Sequence, residues 1–582
     1  MSFPTGPFGN VWRAGVGVPQ GVMGNEGDTY TDTSTNLVYG PKSKGTWGTP
    51  RSLGGGSVAV APATGVQATD AAAINAAIAA AGPNGSVYFP AGTYVADMLA
   101  PLSGQSWTGP GTIMRPTGSL NSVITATGLT GFSLSRLTID GNRANSSATS
   151  NAAVYLINST WTRINNATVQ NTPANNAGII LRGSVQGIVS DCRLTTVGYG
   201  VLLGLNHGDN YPCYGNLIRG VTIDGTDMDA IFLTENLGST TSIPVVGSVI
   251  GTVVSGCTVR NFGDSGVEVG SGTVYTEVSG CTFNGIANGA GNNGILFRDA
   301  LHASVTGCTV SNLTKPSGSN GVYMFNLNGT NAYIDVTDVN VYNVGYGYLV
   351  NGTGGAATSI NITGGSIDTT ALDGIQLNNV NGFSITGTQV HNAGQQGISI
   401  GKFNVAGSSN GTITGTRVYN SGQQTTGQSG LIMFQNTSNV TVSNSHFSDI
   451  QGTPTQGYGV RIFDSTVTNV TVRDCTLNGN VTLPLTSAAS ASNGIKAFDN
   501  TGFNPQGMQT VTLSGTSPTS YQAGITEEVL YLNGGSSVSL TKNGLALPYN
   551  SASGSAYLLK PGETINISWT GSAPNFSRSD RK

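Results

Sequence analysis

The chain contains 582 residues, of which 85 are glycine and only 9% are charged, and its formal net charge is −4. This balance excludes the basic surface that nucleic acids and anionic lipids require, and no apolar run reaches the ~20 residues of a membrane-spanning helix. The start, MSFPTGPFGN, has neither the basic nor the apolar region of a secretory signal. We therefore expect a protein that folds in a cytoplasm and neither binds nucleic acid nor inserts into a membrane.

Residues 1–56 differ in composition from the rest of the chain. They contain GNEGDTYTDTSTNLVYGPKSKGTWG, whose aromatic residues and paired turn signals have the spacing of β-hairpins, and they end in the linker-like RSLGGGS. A segment this small cannot build a large core and is expected to need partners. It resembles the short repeats of bacteriophage tail-fibre and tailspike chains. That resemblance implies a virion-attachment segment that contacts other phage tail or baseplate proteins.

Residues 57–120 predict one helix followed by the first strands. Thr69 or Asp70 can N-cap this helix, which ends at Gly82-Pro83. The residues predicted on its buried face are Ala71, Ile74, Ala77 and Ile78. We expect the helix to cover the open edge of the first coil. The stretch TDAAAINAAIAAAGPNGSVYFPAGTY resembles the opening of the pectate-lyase-like superfamily, which implies a right-handed parallel β-helix.

Two short motifs alternate over residues 121–505. One is illustrated by VSGCTVRNF (254–262) and VTGCTVSNL (305–313), in which apolar residues alternate and an Asn ends the second strand. The other is a small residue followed by apolar-x-apolar, and its first apolar residue recurs at steps of 22 to 36 residues. These marker residues are Ile179, Val201, Ile231, Val267, Ile295, Val322, Tyr348, Ile375, Ile398, Leu431, Val460 and Ile495. Such a period is one coil of a solenoid, so the sequence predicts an all-β parallel β-helix with a glycan groove.

Five of the six cysteines occupy one position of the repeat, where Val221 and Val339 stand in other coils. They are Cys192, Cys257, Cys281, Cys308 and Cys475. We interpret them as reduced thiols in an interior row of small apolar side chains, rather than as disulfides or metal ligands. Cys213 is the outlier. The chain shows no Cys/His metal spacing, phosphate-binding loop or Ser-His-Asp arrangement, so no metal and no cofactor is predicted.

Residues 506–582 break the period and alternate apolar and polar residues over several strands, with LKPGETINISW predicted as a hairpin. The succession of SPTSY, EEVLYLNGG and LKPGETINISW resembles the small C-terminal β-module of many phage tail proteins. Together, the resemblances imply a phage tailspike with a depolymerase-type β-helix. They also imply a homotrimer, a trimerisation or receptor module at the C-terminus, and a place on the virion tail after assembly in the host cytoplasm.

The acidic residues are few and cluster around a few coils. Asp229 and Asp264 precede the marker residues of successive coils, and stacking at about 4.8 Å per coil would place their Cα atoms roughly 6 Å apart. A pair of carboxyl groups is what glycosidic cleavage requires, one as general acid and the other as base or nucleophile. The predicted catalytic residues are Asp229, Asp264, Asp227 and Glu268.

The two longest insertions, 204–215 and 234–248, flank the Asp229 coil and could wall a groove. Predicted substrate-binding residues on these loops and neighbouring coils are Arg298, Asp299, Glu235, Tyr323, His207 and Tyr211. The stretch TDMDAIFL resembles the Q-D-D-C-I-A-I coil of polygalacturonase-type hydrolases, with Asp229 at the matching position. The G-H-G and R-I-K motifs of that family do not follow, so membership of it is not implied.

Other functions and another interpretation of the acidic residues are also compatible with the sequence. Tyr323 or His302 as a base, with Arg298 neutralising a uronate, would make a polysaccharide lyase. The spike could also hold a surface glycan without cleaving it, or the chain could be a bacterial lyase or epimerase. Acidic residues before glycine or small residues commonly cap β-helix turns, and Asp140, Asp224 and Asp373 are expected to include such cases.

Overall fold

The computed structural model describes residues 12–32, 37–47, 51–52, 56–146, 151–206, 209–234, 248–285, 293–313, 318–326, 331–352, 355–402, 407–502, 508–510 and 516–580. The chain divides into two compact units. The first unit comprises Met1–Ser242 and Ser248–Thr258, and the second comprises Ile243–Gly247 and Val259–Lys582. Over the described ranges, no helix is long and apolar enough to cross a membrane.

The N-terminal residues form a small four-stranded sheet. Its strands are Trp12–Gly15, Thr29–Asp32, Leu37–Tyr39 and Arg51–Ser52. The last three strands pair antiparallel, as the hairpin spacing predicts, whereas the first pairs parallel to the second. Tyr30 and Tyr39 are buried in this sheet, so aromatic side chains supply its core.

The single α-helix in the described ranges spans Gln67–Ala81 and packs against the strands Ser57–Ala59, Ser86–Tyr88 and Thr93–Val95. Ile74, Ala77 and Ile78 are buried as predicted, whereas Ala71 is only half-buried. That this helix covers the open edge of the coils stays a prediction.

The predicted N-cap of this helix is wrong, because the helix begins before Asp70 and its N-cap residue is Val66. The buried Asp70 carboxylate instead accepts hydrogen bonds from the backbone N–H groups of Thr64, Gly65 and Val95, at 2.8, 3.0 and 2.9 Å. Its oxygens are thus used by the loop before the helix and by a later strand, rather than by the first helical turn.

Each coil contributes up to three short strands, and the strands of successive coils pair in parallel within both units. In the first unit, sheet 1 consists of the strands that carry the marker residues and of two earlier strands that stack on them: Ile124–Thr127, Ala152–Thr160, Ala177–Val185, Tyr199–Gly204 and Ile231–Thr234. Sheet 2 follows in each coil: Ser57–Ala59, Ser86–Tyr88, Ser106–Thr108, Ser133–Ser135, Arg163–Asn165, Ile188–Ser190, Cys213–Tyr214, Leu217–Arg219, Val249–Ile250 and Val253–Ser255. Sheet 3 completes the coil: Thr93–Val95, Thr112–Met114, Thr138–Asp140, Thr168–Gln170, Arg193–Val197, Thr222–Thr226 and Thr258–Arg260, the last of which spans the division between the units.

The second unit repeats this arrangement. Its sheet 1 strands are Ser265–Val269, Asn293–Arg298, Asn320–Phe325, Tyr346–Asn351, Ile375–Asn378, Ile398–Ile400, Ser429–Met433, Tyr458–Ile462 and Leu483–Ser487. Its sheet 2 strands are Thr273–Val274, Glu277–Ser279, Leu301–Thr306, Ala332–Thr337, Ala357–Thr363, Val380–Thr386, Ser409–Thr414, Ser438–Ser443, Thr468–Arg473 and Lys496–Phe498. Its sheet 3 strands are Thr282–Asn284, Thr309–Ser311, Asn340–Val344, Ser366–Thr370, Gln389–Ala393, Arg417–Tyr419 and His446–Ser448. Two short 3₁₀ helices, Arg143–Asn145 and Ala491–Asn493, complete the regular structure of the coils.

The marker residues stack in the interior of both units, as predicted, with one exception at the C-terminal end. Val460 pairs with Leu485 on the next coil, not with Ile495. Ile495 instead precedes the sheet 2 strand Lys496–Phe498, in which Ala497 pairs with Val472. The segment LPLTS does not match the motif, because it carries Pro484 where other coils have a glycine or another small residue. The segment GIKA matches the motif although it belongs to a different sheet.

The cysteine interpretation is confirmed. All six cysteines are free and buried, including Cys213. Val221 and Val339, which take the same position in other coils, are completely buried too. Burial raises the pKa of Cys192 and Cys475 to about 11 and that of Cys213 to about 12, because the apolar interior disfavours a thiolate.

The C-terminal residues form two four-stranded antiparallel sheets. Their strands, in chain order, are Met508–Thr510, Thr519–Gln522, Glu528–Asn533, Ser539–Lys542, Leu545–Leu547, Ser555–Leu559, Thr564–Ser568 and Asn575–Asp580. Both sheets contribute side chains to one core, which consists of Ala523, Leu530, Leu532, Leu540, Leu559, Ile565, Ile567 and Phe576.

The predicted LKPGETINISW hairpin is wrong. Ser555–Leu559 pairs with Glu528–Asn533 in one sheet, whereas Thr564–Ser568 pairs with Thr519–Gln522 and Ser539–Lys542 in the other. Leu559 and Ile565 lie on either side of the turn and are both fully buried in the shared core. The turn therefore carries the chain across the core from one sheet to the other.

Candidate functional site

The strands of sheet 1 in the second unit present a row of side chains on the face opposite the core. Because side chains alternate along a strand, the residue after each buried marker points away from the interior. The resulting row, which we call the outer row, consists of Glu268, Leu296, Tyr323, Leu349, Gln376, Ser399, Ile432, Arg461 and Thr486. Most of these side chains are buried or half-buried, so the outer row is recessed rather than raised.

An ion pair between a buried carboxylate and a half-exposed guanidinium lies at the start of this row. The Glu268 carboxylate is buried, and its Oε1 lies 3.3 Å from Nε of Arg298, while Nη2 of Arg298 lies 3.5 Å from Oε2. The Arg298 side chain keeps 32% of its surface exposed. The sequence therefore correctly places Glu268 and Arg298 on neighbouring coils, and the guanidinium can meet an anionic ligand from the solvent side.

Tyr323 stands on the coil after Arg298. Burial raises the pKa of Tyr323, whereas a hydrogen bond from Asn351 and the positive charge of Arg298 oppose that rise. The Asn351 side-chain amide donates to the phenol oxygen at 3.4 Å. The Tyr323 ring stacks on Phe325, with the centroids 5.7 Å apart. Glu268, Arg298 and Tyr323 thus form one cluster, whereas the His302 ring stacks on Tyr275 and Tyr333.

Asp299 follows Arg298 and turns the chain. Its backbone has φ of 52°, in the left-handed region, and its side chain is 8% exposed. The Ser271 hydroxyl donates to Oδ2 at 3.3 Å, and the Asp299 N–H donates to the Phe325 carbonyl. These contacts are those of a turn residue, so any part in substrate binding stays a prediction.

Asp227, in the first unit, is held at the surface by Arg143. Nη2 and Nη1 of the guanidinium lie 2.9 Å from Oδ1 and Oδ2 of Asp227, and each side chain is about one third exposed. This fork-like pairing fixes the carboxylate in a surface ion pair. Asp227 thus has a structural partner that the sequence does not reveal, because Arg143 lies three coils away in the chain.

Asp229 lies in a tight turn and is only 4% exposed. The Thr226 hydroxyl donates to the Met228 carbonyl at 2.7 Å, and the backbone N–H of Met228 donates to the Gly198 carbonyl. The Asp229 carbonyl accepts a hydrogen bond from the N–H of Gly200 on the preceding coil. Asp229 therefore sits at the entry to a sheet 1 strand, as predicted.

The same turn recurs in the second unit at Thr370–Asp373. The Thr370 hydroxyl donates to the Leu372 carbonyl at 2.9 Å, and the N–H of Leu372 donates to the carbonyl of Gly345. Asp373 lies two residues before its marker, like Asp229, and is also 4% exposed. The position of Asp229 is thus a repeated feature of the fold, as the turn-capping interpretation of Asp373 expects.

The Asp373 carboxyl group has an environment that sequence reasoning missed. Its oxygens accept hydrogen bonds from the Ser399 hydroxyl at 2.7 Å, the Gln396 backbone N–H at 3.0 Å and the Gln376 side-chain amide at 3.2 Å. Burial raises the pKa of Asp373 to about 6, and these hydrogen bonds oppose the rise only in part. An Asp-Gly pair looks like an ordinary turn in the sequence, where nothing shows that the next coils close over it.

Asp264 precedes the strand Ser265–Val269 and is half-buried, and its carbonyl accepts a hydrogen bond from the Asn293 N–H at 3.1 Å. Asp229 belongs to the first unit and Asp264 to the second. Their pairing therefore stays a prediction. Glu235 and His207 lie outside the described residues.

Tyr211 lies in the long loop after the strand Tyr199–Gly204. It packs directly on Gly183, where a methyl group would come within 2.5 Å of the Tyr211 Cβ. The loop is tied down by Asp209, whose carboxylate receives Nη2 and Nε of Arg182 at 2.5 and 2.7 Å. Burial would raise the pKa of Asp209, but the hydrogen bonds from Arg182 and Asn206 outweigh it and lower the pKa. The sequence analysis missed this clamp.

The far part of the outer row carries aromatic groups around a cation. The guanidinium carbon of Arg461 lies 4.7 Å from the ring centroids of both Tyr458 and Phe463. Phe463 in turn packs on Phe434, with centroids 5.5 Å apart. Tyr458, Arg461 and Phe463 lie on one coil, and the stacking of coils adds only Phe434 from the preceding coil.

A family model described as "Right handed beta helix region" matches residues 320–507. The chain is a right-handed parallel β-helix. No curated protein sequence matches it.

Several solved structures are similar in fold. The tailspike protein of E. coli bacteriophage HK620, in complex with a pentasaccharide, is 13% identical with a TM-score of 0.43, over 90% of this chain and 91% of that one. The pre-mature bacteriophage phi29 gene product 12 is 15% identical with a TM-score of 0.45, over 73% and 57%. The A-module of Azotobacter vinelandii mannuronan C-5 epimerase AlgE6 is 15% identical with a TM-score of 0.30, over 75% and 95%. At these identities the similarity concerns the fold alone.

Proposed function

We propose that this protein binds a bacterial surface polysaccharide, such as a capsule, exopolysaccharide or O-antigen, and cleaves it internally as the tailspike of a phage. The observation that carries the proposal is the outer row of the second unit, which begins at the Glu268–Arg298 pair and continues in register through Tyr323, Gln376 and Arg461. Nine coils at about 4.8 Å each give it a length close to 40 Å. A recessed row of this length, lined by hydrogen-bonding and aromatic groups, suits an extended sugar chain.

Hydrolysis is the first candidate reaction. It needs one carboxylic acid that protonates the leaving oxygen and one carboxylate that activates water or attacks the anomeric carbon. We propose Asp229 and Asp264 for these roles, with Glu268 as a further candidate carboxylate. Asp229 lies in the turn that leads into the strand Ile231–Thr234, where the sequence predicts a catalytic acid.

Elimination is the second candidate, and the positive charge of Arg298, which acts on the Tyr323 phenol, favours it. Arg298 would neutralise the carboxylate of a uronate while the Tyr323 phenolate takes the proton from C5. The C4–O bond then breaks, a double bond forms between C4 and C5, and the leaving oxygen gains a proton. Because the pKa of Tyr323 is raised, such a reaction should speed up as the pH rises into the alkaline range.

Substitutions of Asp229 and Tyr323 distinguish hydrolysis from elimination. Asp229→Asn should reduce hydrolysis by about 10²–10⁴ while melting temperature and glycan binding stay close to wild type. Asp224→Asn is the control, because Asp224 lies in the sheet 3 strand Thr222–Thr226 of the same coil, and it should retain activity. Activity within a few-fold of wild type in both Asp229→Asn and Asp264→Asn would contradict the carboxylate pair.

Tyr323→Phe addresses elimination, since it removes the phenol and keeps the ring against Phe325. Under elimination, this variant should lose the ultraviolet absorbance of unsaturated uronate products, which hydrolysis never produces. Full activity in Tyr323→Phe would contradict elimination. A wild-type protein that binds the polysaccharide but releases no product would instead be a non-catalytic receptor-binding spike.

A further inference from the structure

The corner between sheet 1 and sheet 2 of the second unit contains a column of stacked residues in the left-handed backbone region. Strand pairing aligns these residues from coil to coil. The column, which we call the corner column, consists of Tyr275, His302, Tyr333, Ser359, Gly382, Asn410, Asn439 and Asn469, with φ of 57°, 50°, 57°, 55°, 80°, 57°, 56° and 53°. A single backbone geometry is therefore occupied by very different side chains.

Glycine and asparagine suit this backbone, whereas tyrosine and histidine are strained in it. Part of the column uses asparagine in the expected way. The side-chain amide of Asn439 donates to Asn410 at 2.9 Å, and that of Asn469 donates to Asn439 at 3.1 Å. The three aromatic residues are strained at a position where other coils of the same column have an asparagine, which suits this backbone. Strain that is retained in this way clusters at functional positions.

The aromatic residues form an exposed ladder. The rings of Tyr275 and His302 lie 5.1 Å apart at 24°, and those of His302 and Tyr333 lie 4.5 Å apart and parallel. Tyr275 is 61% exposed and Tyr333 is 54% exposed. His302 covers one face of Tyr333, and the next two residues of the column, Ser359 and Gly382, have small side chains. Two coils at about 4.8 Å each leave room beside Tyr333 for one further ring of a ligand.

Polar groups flank this space. Strand pairing aligns one row of polar residues on sheet 2, each two residues after a member of the corner column. The row consists of Glu277, Ser304, Asp335 and Asn361. The Asn361 amide donates to Oδ1 of Asp335 at 2.8 Å, and Asn410 donates to Oδ1 of Asn381 at 2.7 Å. The flank therefore offers carboxylate and amide oxygens, which accept hydrogen bonds from hydroxyl groups. The two carboxylates, Glu277 and Asp335, would repel an anionic ligand.

We propose that the ladder is a second carbohydrate-binding site, which takes one neutral hexopyranose unit on the open face of Tyr333. A pyranose ring has an apolar face of C–H groups that packs on an aromatic ring and a rim of hydroxyls that donate to Asp335 and its neighbours. The site lies on a different face of the coil from the outer row and requires no cleavage. It would hold a neutral part of the cell-surface glycan while another part occupies the outer row.

The test compares two tyrosine variants of the full-length protein on an array of neutral and acidic glycans. Tyr333→Asn installs the residue that the corner column itself uses elsewhere, so its melting temperature should equal or exceed that of wild type. Tyr342→Asn is the control, because Tyr342 is an exposed tyrosine of sheet 3 in the same coil. We expect at least one neutral glycan whose affinity falls tenfold or more in Tyr333→Asn and is unchanged in Tyr342→Asn.

Three outcomes would overturn the site: binding of acidic glycans only, equal loss in both variants, or no glycan whose binding depends on Tyr333. Arg298→Ala distinguishes the site from the outer row. If Arg298→Ala abolishes cleavage but keeps the Tyr333-dependent binding, the ladder is independent of the proposed reaction. If one variant abolishes both, the ladder belongs to the outer row and the proposal of a second site fails.

Discussion

The fold changes the ionisation of Asp373. Its pKa of about 6 lies above the ordinary value of 3.8, because burial disfavours the charged carboxylate. A raised pKa means that the folded state binds the proton more tightly than the unfolded state does. The protonated Asp373 carboxyl group therefore stabilises the folded state fully at a pH below the unfolded pKa. This stabilisation is lost as the pH rises through about 6.

Asp373→Asn should therefore abolish one component of the pH dependence of unfolding. Between pH 4 and pH 7, the free energy of unfolding of the wild type should fall by up to about 3 kcal/mol relative to that of the variant, since one pKa unit corresponds to about 1.4 kcal/mol. Denaturant unfolding at several pH values measures the difference. Asp464→Asn is the control, because the hydrogen bonds from Thr466 lower the pKa of the half-buried Asp464 and give its contribution the opposite sign. Parallel pH profiles of wild type and Asp373→Asn would show that this carboxyl group is not buried as described.

At the scale of elements, a column of glycines precedes the markers of sheet 1. A methyl group on Gly294 would lie 2.2 Å from Cγ1 of the buried Val310 and 2.7 Å from the Gly321 carbonyl oxygen. The backbone at Gly294 lies so close to these buried atoms that a side chain has no room. The glycine is therefore required by close packing and not by a left-handed φ.

Gly294→Ala should lower the free energy of unfolding by at least about 2 kcal/mol, because overpacking a rigid β-helix corner forces the backbone to move. Gly318→Ala is the matched control, since no atom lies within 4 Å of a methyl group placed there. It should change stability by less than about 1 kcal/mol. Urea unfolding of both variants checks this, and equal effects would contradict the close packing at Gly294.

The cysteine row gives a second prediction at this scale. All six thiols are buried, and the pKa values of Cys192, Cys213 and Cys475 are raised. We expect no reaction with a thiol reagent at neutral pH in the native protein and six equivalents after unfolding in guanidinium. Rapid labelling of a native thiol would show that its coil opens or is exposed.

What the sequence could predict at this scale follows from its period. Alternation along a strand identifies the buried markers and the cysteine row, because position within one coil is a local property. Ile495, the LKPGETINISW turn and the clusters at Asp373 and Tyr333 depend instead on which residues stack from other coils or sheets. The variable coil length hides that register, so these features emerge only from the structure.

At the scale of the whole molecule, the two units differ on the outward side of sheet 1. The first unit presents Tyr155, Ile180, Leu202 and Phe232 in register, an apolar row in contrast to the mixed outer row of the second unit. These side chains are buried or half-buried within the first unit itself. We predict a homotrimer for the full-length chain because its small terminal segments are expected to need partners. Mass measurement in solution checks this, and a monomer at micromolar concentration would contradict it.

The central claim is that the protein cleaves a bacterial surface polysaccharide internally. The most direct measurement is the size distribution of candidate host polysaccharides after incubation with the full-length protein, together with the count of new reducing ends. The account predicts a rapid fall in chain length with few reducing ends at first, which marks internal cleavage. Polysaccharides that bind the protein and keep their full length would contradict it.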